Sequence, residues 1–457
     1  MKAKICSVIL AICLLGVSVI LSSCYSNEPA GLKSASINEN GELILVYENG
    51  TEQNLGVVVG NNGADGSNGE NGENGASGEN GASGADGHIG SLEITANGNS
   101  TPVASSKGLR SAVSITCKFQ TTVQGSSWKP GSSNTTTKNY TAKGSGVIYH
   151  LDKAEGDAFI ITNYHVVYDA SSNTANGISD DISVFLYGSE IENKAIKATY
   201  VGGSLYYDIA VLRVEDSDIL KNSGAAAADA ANSDLVSVGE SAIAVGNARG
   251  LGISSTSGII SVDSEYITMT AADGKTEVSF RVMRVDTAIN SGNSGGGLYD
   301  DEGNLIGIVN AKIVYDGVEN IGYAIPSNIA TSVAQNIIDY CYGTDTETVQ
   351  RALLGITVST KDSKALIDPT TGLMRIEETV SVYEVSDGSL ADGILQANDV
   401  LVSAELGGSV VNITRQHHII DLMLDARAGD TVTLVVIRNG VEMTLNLTVT
   451  AECISSY

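Results

Sequence analysis

From about Leu109 onward the apolar residues of this chain arrive in short runs broken by Gly, Asn, Asp and Ser, and that rhythm limits the possible folds more than any other feature. Ala112-Val113-Ser114-Ile115, Ala158-Phe159-Ile160-Ile161, Ile182-Ser183-Val184-Phe185-Leu186, Ile209-Ala210-Val211-Leu212 and Ile306-Gly307-Ile308-Val309 are each the length of a strand. Many short strands at such spacing build a barrel or a sandwich, so a mainly β fold is expected. The first clear helix has Pro326 in its first turn. Ile329, Val333, Ile337 and Ile338 keep helical spacing to about Tyr342, and Gly343 ends it. Beyond it, strands are expected at 355–358, 379–382, 400–402, 432–436 and 445–449, with one helix over 416–426, which together make a small α+β module. A chain of 457 residues, 42% of them apolar, can bury cores for about three structural units.

The amino-terminal part is organised differently. Lys2 and Lys4 precede an apolar stretch over 5–21, followed by Leu21-Ser22-Ser23-Cys24, the layout of an export signal. The competing reading is an uncleaved membrane helix, but the stretch is at the short limit for a bilayer core of roughly 30 Å. Leu-Ser-Ser-Cys resembles a bacterial lipobox. That implies a signal peptide over 1–23, lipidation of Cys24, and a mature protein held by acyl chains at the extracytoplasmic face of the cell membrane. Once Cys6 and Cys13 leave with the signal, Cys117, Cys341 and Cys453 are too few and too scattered for a disulfide framework. Residues 24–59 form a short β module, with Asn49-Gly50 as a hairpin signal between apolar runs. Glycine then falls at every third position over 60–90. Only glycine fits the crowded axis of three wound chains, so the period is collagen-like, yet the segment has no proline to preorganise it. A triple helix would reach roughly 95 Å and require a trimer, whereas a Gly-rich tether would reach about 30 Å. Residues 91–105 read as a polar linker.

Charge and histidine count exclude several functions. Asp and Glu number 53 against 26 Lys and Arg, a formal charge of -27, and there is no basic run, so no nucleic acid partner is expected. The five histidines (88, 150, 165, 417, 418) contain no His-Glu-x-x-His and suggest no metal cluster. His417 and His418, on the expected helix, read as surface or groove-lining residues. Gly274-Lys275-Thr276 is not a phosphate loop, because Met269 stands where the earlier glycine is required.

Three segments carry chemistry. His165 follows directly on a strand in Ile161-Thr162-Asn163-Tyr164-His165-Val166-Val167. Asp208 stands at the mouth of another strand in Tyr206-Tyr207-Asp208-Ile209. Ser294 sits in the glycine-rich turn Asn290-Ser291-Gly292-Asn293-Ser294-Gly295-Gly296-Gly297. A serine hydroxyl needs a base to take its proton and a third group to hold that base in the right tautomer. Singly, each segment is ordinary: a structural histidine, a capping aspartate, a β-turn. In the order His, Asp, Ser within one β-rich unit they are far more specific.

With Ala244-Val245-Gly246-Asn247, Thr256-Ser257-Gly258-Ile259-Ile260-Ser261 and Gly322-Tyr323-Ala324-Ile325-Pro326-Ser327, the chain over roughly 105–452 resembles the HtrA/Deg family of chymotrypsin-fold serine proteases. The resemblance implies a double β-barrel, trypsin-like protease domain over 106–345 and a PDZ domain over 350–452. It makes His165 the general base, Asp208 its orienting partner and Ser294 the nucleophile, with an oxyanion hole over Gly292, Asn293 and Ser294. Asn293 replaces the aspartate of digestive relatives, which implies activation by conformational change rather than by zymogen cleavage. Ala288 and Ile289 occupy the specificity-pocket position and offer no carboxylate, so cleavage after small or medium aliphatic residues is expected. Gly297 departs from the usual Pro or Ala. In the PDZ part, Leu353-Leu354-Gly355-Ile356 resembles the carboxylate-binding loop, whose amides would receive a peptide C-terminus. The runs 391–401 and 428–432 support the match, while Asn398 replaces a usual glycine and 359–378 is longer than typical. The resemblance further implies a homotrimer acting on unfolded or damaged polypeptides and on C-terminal peptides, with no metal or organic cofactor. The rival expectation is a surface chaperone or adhesin that binds polypeptides without hydrolysis.

Overall fold

The computed structural model describes residues 32–38, 40, 42–47, 49–57, 100–125, 134–191, 194–311 and 321–456, in two compact units divided after Ile89. The expected signal peptide, Cys24 and the 60–90 glycine repeat lie outside the described residues. The first unit contains an antiparallel sheet of β1 (Leu32–Ile37), β2 (Glu42–Tyr47) and β3 (Glu52–Val57). Its second hairpin turns on Asn49-Gly50, with Gly50 at φ +82° donating its N–H to the Tyr47 carbonyl at 2.9 Å.

The second unit opens with helix α1 (Thr101–Ser111), which begins inside the expected 91–105 linker. Pro102 starts it, and its buried face is made of Ala104, Gly108 and Ser111. Small residues were needed there: a Cβ on Gly108 would lie 2.9 Å from Val245 and 3.0 Å from the Tyr299 ring, and Ser111 Oγ meets Tyr299 Oη at 2.7 Å. A helix face of Ala, Gly and Ser shows no apolar periodicity, which is why the sequence reads as a linker.

Two closed antiparallel barrels follow. The first joins β4 (Ala112–Gly125), β5 (Asn134–Asp152), β6 (Asp157–Thr162), β7 (Asp181–Leu186), β8 (Ile196–Ser204) and β9 (Ile209–Val214) in the order β4-β5-β6-β9-β8-β7. One-turn helices α2 (Tyr164–Val167) and α3 (Asp218–Lys221) follow β6 and β9. The second joins β10 (Ser241–Gly246), β11 (Ser254–Thr270), β12 (Glu277–Val285), β13 (Gly297–Tyr299), β14 (Leu305–Val309) and β15 (Gly322–Pro326) in the order β10-β11-β12-β15-β14-β13. The unbroken apolar runs have a direct cause in burial on both faces. In β9, Ala210, Leu212 and Val214 fill the first barrel, while Ile209 and Val211 point into the cluster between the barrels. β10 repeats the pattern, with Ala242 and Ala244 inside the second barrel and Ile243 and Val245 in the shared cluster. Side chains alternate with period two, so a strand between two apolar layers has no solvent face. Each fully buried Val, Leu or Ile contributes about 1.5–3 kcal/mol.

Helix α4 (Ser327–Cys341) buries Ile329, Val333 and Ile337 in the same shared cluster. Pro326 caps it as the last residue of β15 instead of lying within its first turn, and Gly343 follows at φ +75°. The C-terminal module contains β16 (Gln350–Ala352), β17 (Ile356–Ile367), β18 (Met374–Val385), β19 (Val400–Leu406), β20 (Ser409–Asn412), α5 (Gln416–Asp425), β21 (Thr431–Arg438), β22 (Val441–Thr448) and β23 (Ile454–Ser456). Its sheet runs β17-β18-β19-β21-β22, with β20 on β19, and β16 pairs with β23. The extra length over 359–378 is a continuation of the β17–β18 hairpin. Asn398 stands at φ +76°, a left-handed backbone that asparagine tolerates better than most side chains, which explains how it replaces glycine there. Beside it, buried Asp399 accepts two 2.7 Å bonds from Arg438. Burial pushes the Asp399 carboxyl up, but the Arg438 fork and the Gln396 N–H outweigh it and hold the group below its ordinary range.

Candidate active site

Strand register brings the first two side chains together. β6 and β9 are neighbours with Thr162 opposite Ala210, so the residues just after β6 and just before β9 meet at the same end of the barrel. His165 sits on α2 and donates from Nδ1 to Asp208 Oδ2 at 2.6 Å. Its backbone N–H donates to Oδ1 of the same carboxylate at 2.9 Å. With Nδ1 carrying the proton, Nε2 is left as a lone-pair acceptor. Asn310, at the exit of β14, gives the carboxylate a third donor at 2.8 Å. The Asp208 carbonyl is also held, by Asn163 Nδ2 at 2.8 Å and the Tyr164 N–H at 3.1 Å. Asp208 itself stands at φ +53°, a left-handed backbone that needs such restraint in any residue but glycine.

Ser294 comes from the second barrel, in the loop before β13. Gly292 at φ +96° and Gly295 at φ +82° make the turn. A Cβ on Gly295 would lie 2.2 Å from the Ser145 carbonyl and 2.3 Å from Thr162 Oγ1, so only glycine fits against the first barrel. Ser145, on β5, pins the loop across the seam. Its N–H donates to the Ser294 carbonyl at 2.8 Å, and its hydroxyl donates to the Gly292 carbonyl at 2.7 Å while accepting from the Asn247 N–H at 2.7 Å.

The loop amides divide sharply. The Asn293 N–H, counted with the oxyanion hole from the sequence, donates to the Asn290 carbonyl at 3.0 Å, so its role is to close the turn. Among the described residues the Gly292 and Ser294 N–H groups meet no acceptor. The Ser291 carbonyl is drawn to the Arg249 N–H at 2.7 Å, and in a trans peptide this turns the Gly292 N–H the opposite way. Partly buried amides without partners are rare unless they await an anion. The Ser294 hydroxyl is buried, and among the described residues no hydrogen bond links it to His165 Nε2. Ala288 is exposed and its carbonyl accepts from Thr256 Oγ1 at 3.1 Å, while Ile289 is half-buried against the second barrel's core. Residues 312–320, which follow Asn310 and Ala311, lie outside the described residues.

A second concavity of about 510 Å³ lies between β17 and α5 of the C-terminal module, is lined also by Tyr266 of β11, and includes Leu353, Leu354, Gly355 and Ile356. The Leu353 N–H is taken by the Cys453 carbonyl at 3.0 Å, whereas the Leu354 and Gly355 amides meet no acceptor among the described residues. Gly355 has φ +75°, and a Cβ there would lie 2.1 Å from Ser389 Cβ. β17 is the edge of its sheet, and Ile419, Ile420 and Met423 of α5 form the opposite wall. His418 is half-buried, but His417 is not the surface or groove residue expected. It is buried where α5 meets the second barrel.

Ser145, Asn247 and Asn310 carry no role in the sequence reading. Asn247 lay within a motif quoted for the family resemblance, but nothing local marks Ser145 or Asn310.

The trypsin-like peptidase domain family matches residues 144–308, a span holding His165, Asp208 and Ser294. Serine protease Do-like HtrA of Lactococcus lactis subsp. cremoris is 35% identical over 320 residues, covering 67% of this chain and 70% of that protein. Serine protease Do-like HtrA of Bacillus subtilis is 33% identical over 321 residues, covering 69% of this chain and 65% of the Bacillus protein, just under two thirds of its length. Among solved structures, the HtrA-type protease AlgW with decapeptide is 27% identical with a TM-score of 0.45, over 78% of this chain and 98% of that one.

Proposed function

The chain belongs to the Do-like HtrA family of serine proteases, and from that premise we propose that it is a serine endopeptidase cleaving unfolded or damaged polypeptides through Ser294, His165 and Asp208. One observation carries it: the hydrogen-bonded His165–Asp208 pair of one barrel and, from the other, a serine loop whose Gly292 and Ser294 amides meet no acceptor among the described residues lie at the same seam. In the proposed cycle Ser294 Oγ attacks the scissile carbonyl while His165 Nε2 takes its proton, and the Asp208 carboxylate stabilises the imidazolium that forms. The carbonyl oxygen becomes an oxyanion and accepts from the Gly292 and Ser294 N–H groups. His165 then returns the proton to the leaving amine, and water cleaves the acyl-enzyme by the same route in reverse. Catalytic hydrogen bonds are often long or open before substrate binds, so the unjoined Ser294 hydroxyl fits a resting form that closes on its substrate.

The groove of the C-terminal module supports a PDZ role. A peptide would add as a strand beside β17, with its terminal carboxylate on the Leu354 and Gly355 amides and its last side chain against Ile419 and Met423. Ala288 and Ile289 support cleavage after small or medium aliphatic residues, and robust cleavage after Arg in a peptide library would overturn that preference. The Leu21-Ser22-Ser23-Cys24 pattern supports an acyl anchor at Cys24 on the extracytoplasmic face of the membrane, which mass spectrometry of the mature terminus would check. The collagen-like repeat supports a homotrimer, which sedimentation would measure.

The decisive experiment labels the protein with a fluorophosphonate probe and follows casein degradation, with and without an added C-terminal peptide. Ser294→Ala should abolish labelling and lower kcat by about 10⁶-fold. Equal activity of the two proteins would remove Ser294 from the mechanism and leave the reading of a chaperone or adhesin that binds polypeptides without hydrolysis.

A further inference from the structure

Where α5 meets the second barrel, three side chains with metal-binding atoms converge from distant parts of the chain. Asp234 lies on a 3-10 turn, Ser233–Leu235, ahead of β10, while His417 and His418 lie in the first turn of α5. One ligand atom from each falls within 4.8 Å of the others. His417 Nε2 is 3.7 Å from Asp234 Oδ1, and the two imidazole rings stand edge to face with centroids 4.6 Å apart. We propose that Asp234, His417 and His418 bind one divalent transition-metal ion, with Zn²⁺ the best fit, and that the ion clamps the C-terminal module to the second barrel.

The donor set selects the metal. Two imidazole nitrogens and one carboxylate suit Zn²⁺, with water completing a tetrahedron, whereas Ca²⁺ and Mg²⁺ prefer oxygen ligands. Each ligand is also held from behind, as metal ligands usually are. His418 Nδ1 lies 2.9 Å from the Asn412 carbonyl, so it carries the proton and Nε2 keeps its lone pair. The longer 3.3 Å approach of the Thr414 N–H to the same nitrogen is then only a contact. His417 Nδ1 lies 3.5 Å from Ser264 Oγ, which can accept its proton and leave Nε2 turned to Asp234. Asp234 is fixed by Arg281 at 2.9 Å on one oxygen and by Asn328 at 3.0 Å on the other.

The neighbouring charge permits a cation. One terminal nitrogen of Arg281 donates both to Asp234, at 2.9 Å, and to Asp421, at 2.6 Å, and Arg415 lies against Asp263 and Glu378. With Arg351 near Asp421, three guanidiniums face the four carboxylates of Asp234, Asp263, Glu378 and Asp421, an excess of one negative charge before a metal binds.

The test uses the full mature chain carrying Ser294→Ala to prevent self-digestion, stripped with a chelator and titrated with Zn²⁺ by calorimetry. A Co²⁺ titration reports geometry through its visible absorption. One equivalent should bind, raise the melting temperature and show tetrahedral Co²⁺ bands. Asp234→Asn and His418→Ala should each weaken Zn²⁺ by more than about tenfold and remove the thermal shift, and His418→Ala, which leaves the Arg281–Asp234 pair intact, should keep metal-free melting close to the parent's. His150→Ala should change nothing. Absence of stoichiometric binding in the parent, or parent-like affinity in both Asp234→Asn and His418→Ala, would overturn the site.

Discussion

The two barrels share a strand order but bring their groups to the crevice in different states. The first presents His165 and Asp208 already joined, with the carboxylate held by three donors and its carbonyl by two. The second presents Ser294 with neither its hydroxyl nor its amide paired to a group among the described residues, on a loop turned by glycines and tied to the first barrel through Ser145. The physical difference is one of origin. A pair set by the register of adjacent strands is as rigid as the sheet, whereas a loop held by hydrogen bonds across a seam follows any shift between barrels. Control over a site built this way therefore belongs to the serine side.

The comparison can be broken most severely from the rigid side. Asp208→Asn should lower kcat on a fluorogenic peptide by about 10⁴-fold, because an amide can present a donor to His165 Nδ1 and favour the wrong tautomer. A loss below tenfold would mean that the preformed pair contributes little. Gly295→Ala attacks the serine loop where it seats on the first barrel: its Cβ has no room beside Ser145 and Thr162, and φ +82° penalises any side chain. It should cost about 10²-fold in kcat, while the downfield proton resonance of the His165–Asp208 bond persists. Disappearance of that resonance would show that the two halves are not independent.

Ser145→Ala sharpens the comparison more gently. It leaves the Gly292 carbonyl and the Asn247 N–H without their shared partner, so about tenfold lower kcat and about 1–3 kcal/mol lower stability by urea unfolding are expected. The smallest catalytic effect should come from Arg438→Ala, outside both barrels, with kcat on a short peptide unchanged within about twofold. Its signature is pH dependence. In the parent, a carboxyl depressed by folding adds stability that is complete above its unfolded value of about 3.9 and is lost as pH falls through the lower folded value. Without Arg438, only the Gln396 N–H still opposes burial, so the Asp399 depression shrinks and the stability lost on acidification should shrink with it. Parallel stability–pH curves for parent and variant in the acid range would refute this account.

Much of the candidate site was legible because its reactive types stand beside recognisable strands: His165 after one, Asp208 before another, Ser294 among glycines. Residues that act by reaching a distant segment were not. Ser145 is one more polar residue in a strand until Gly292 and Asn247 close on it, and Asn310 acquires a role only when β14 ends beside Asp208. The histidine pair shows the same limit. His417 and His418 adjoin one another in sequence, but Asp234 lies far upstream, and no local pattern joins them.

Taken alone, the amino-acid order determined which segments read as strands, which turns demand glycine, and which three side chains are the candidates for acyl-transfer chemistry, because period-two burial and left-handed turns are local properties of the backbone. Tertiary structure alone decided that small residues turn 101–111 into a helix against the second barrel, that Ser145 ties the serine loop across the seam, and that α5 places its histidines against a carboxylate of that barrel. Those outcomes depend on close packing and hydrogen-bond geometry between segments far apart in the chain, and such distances exist only once both barrels have closed.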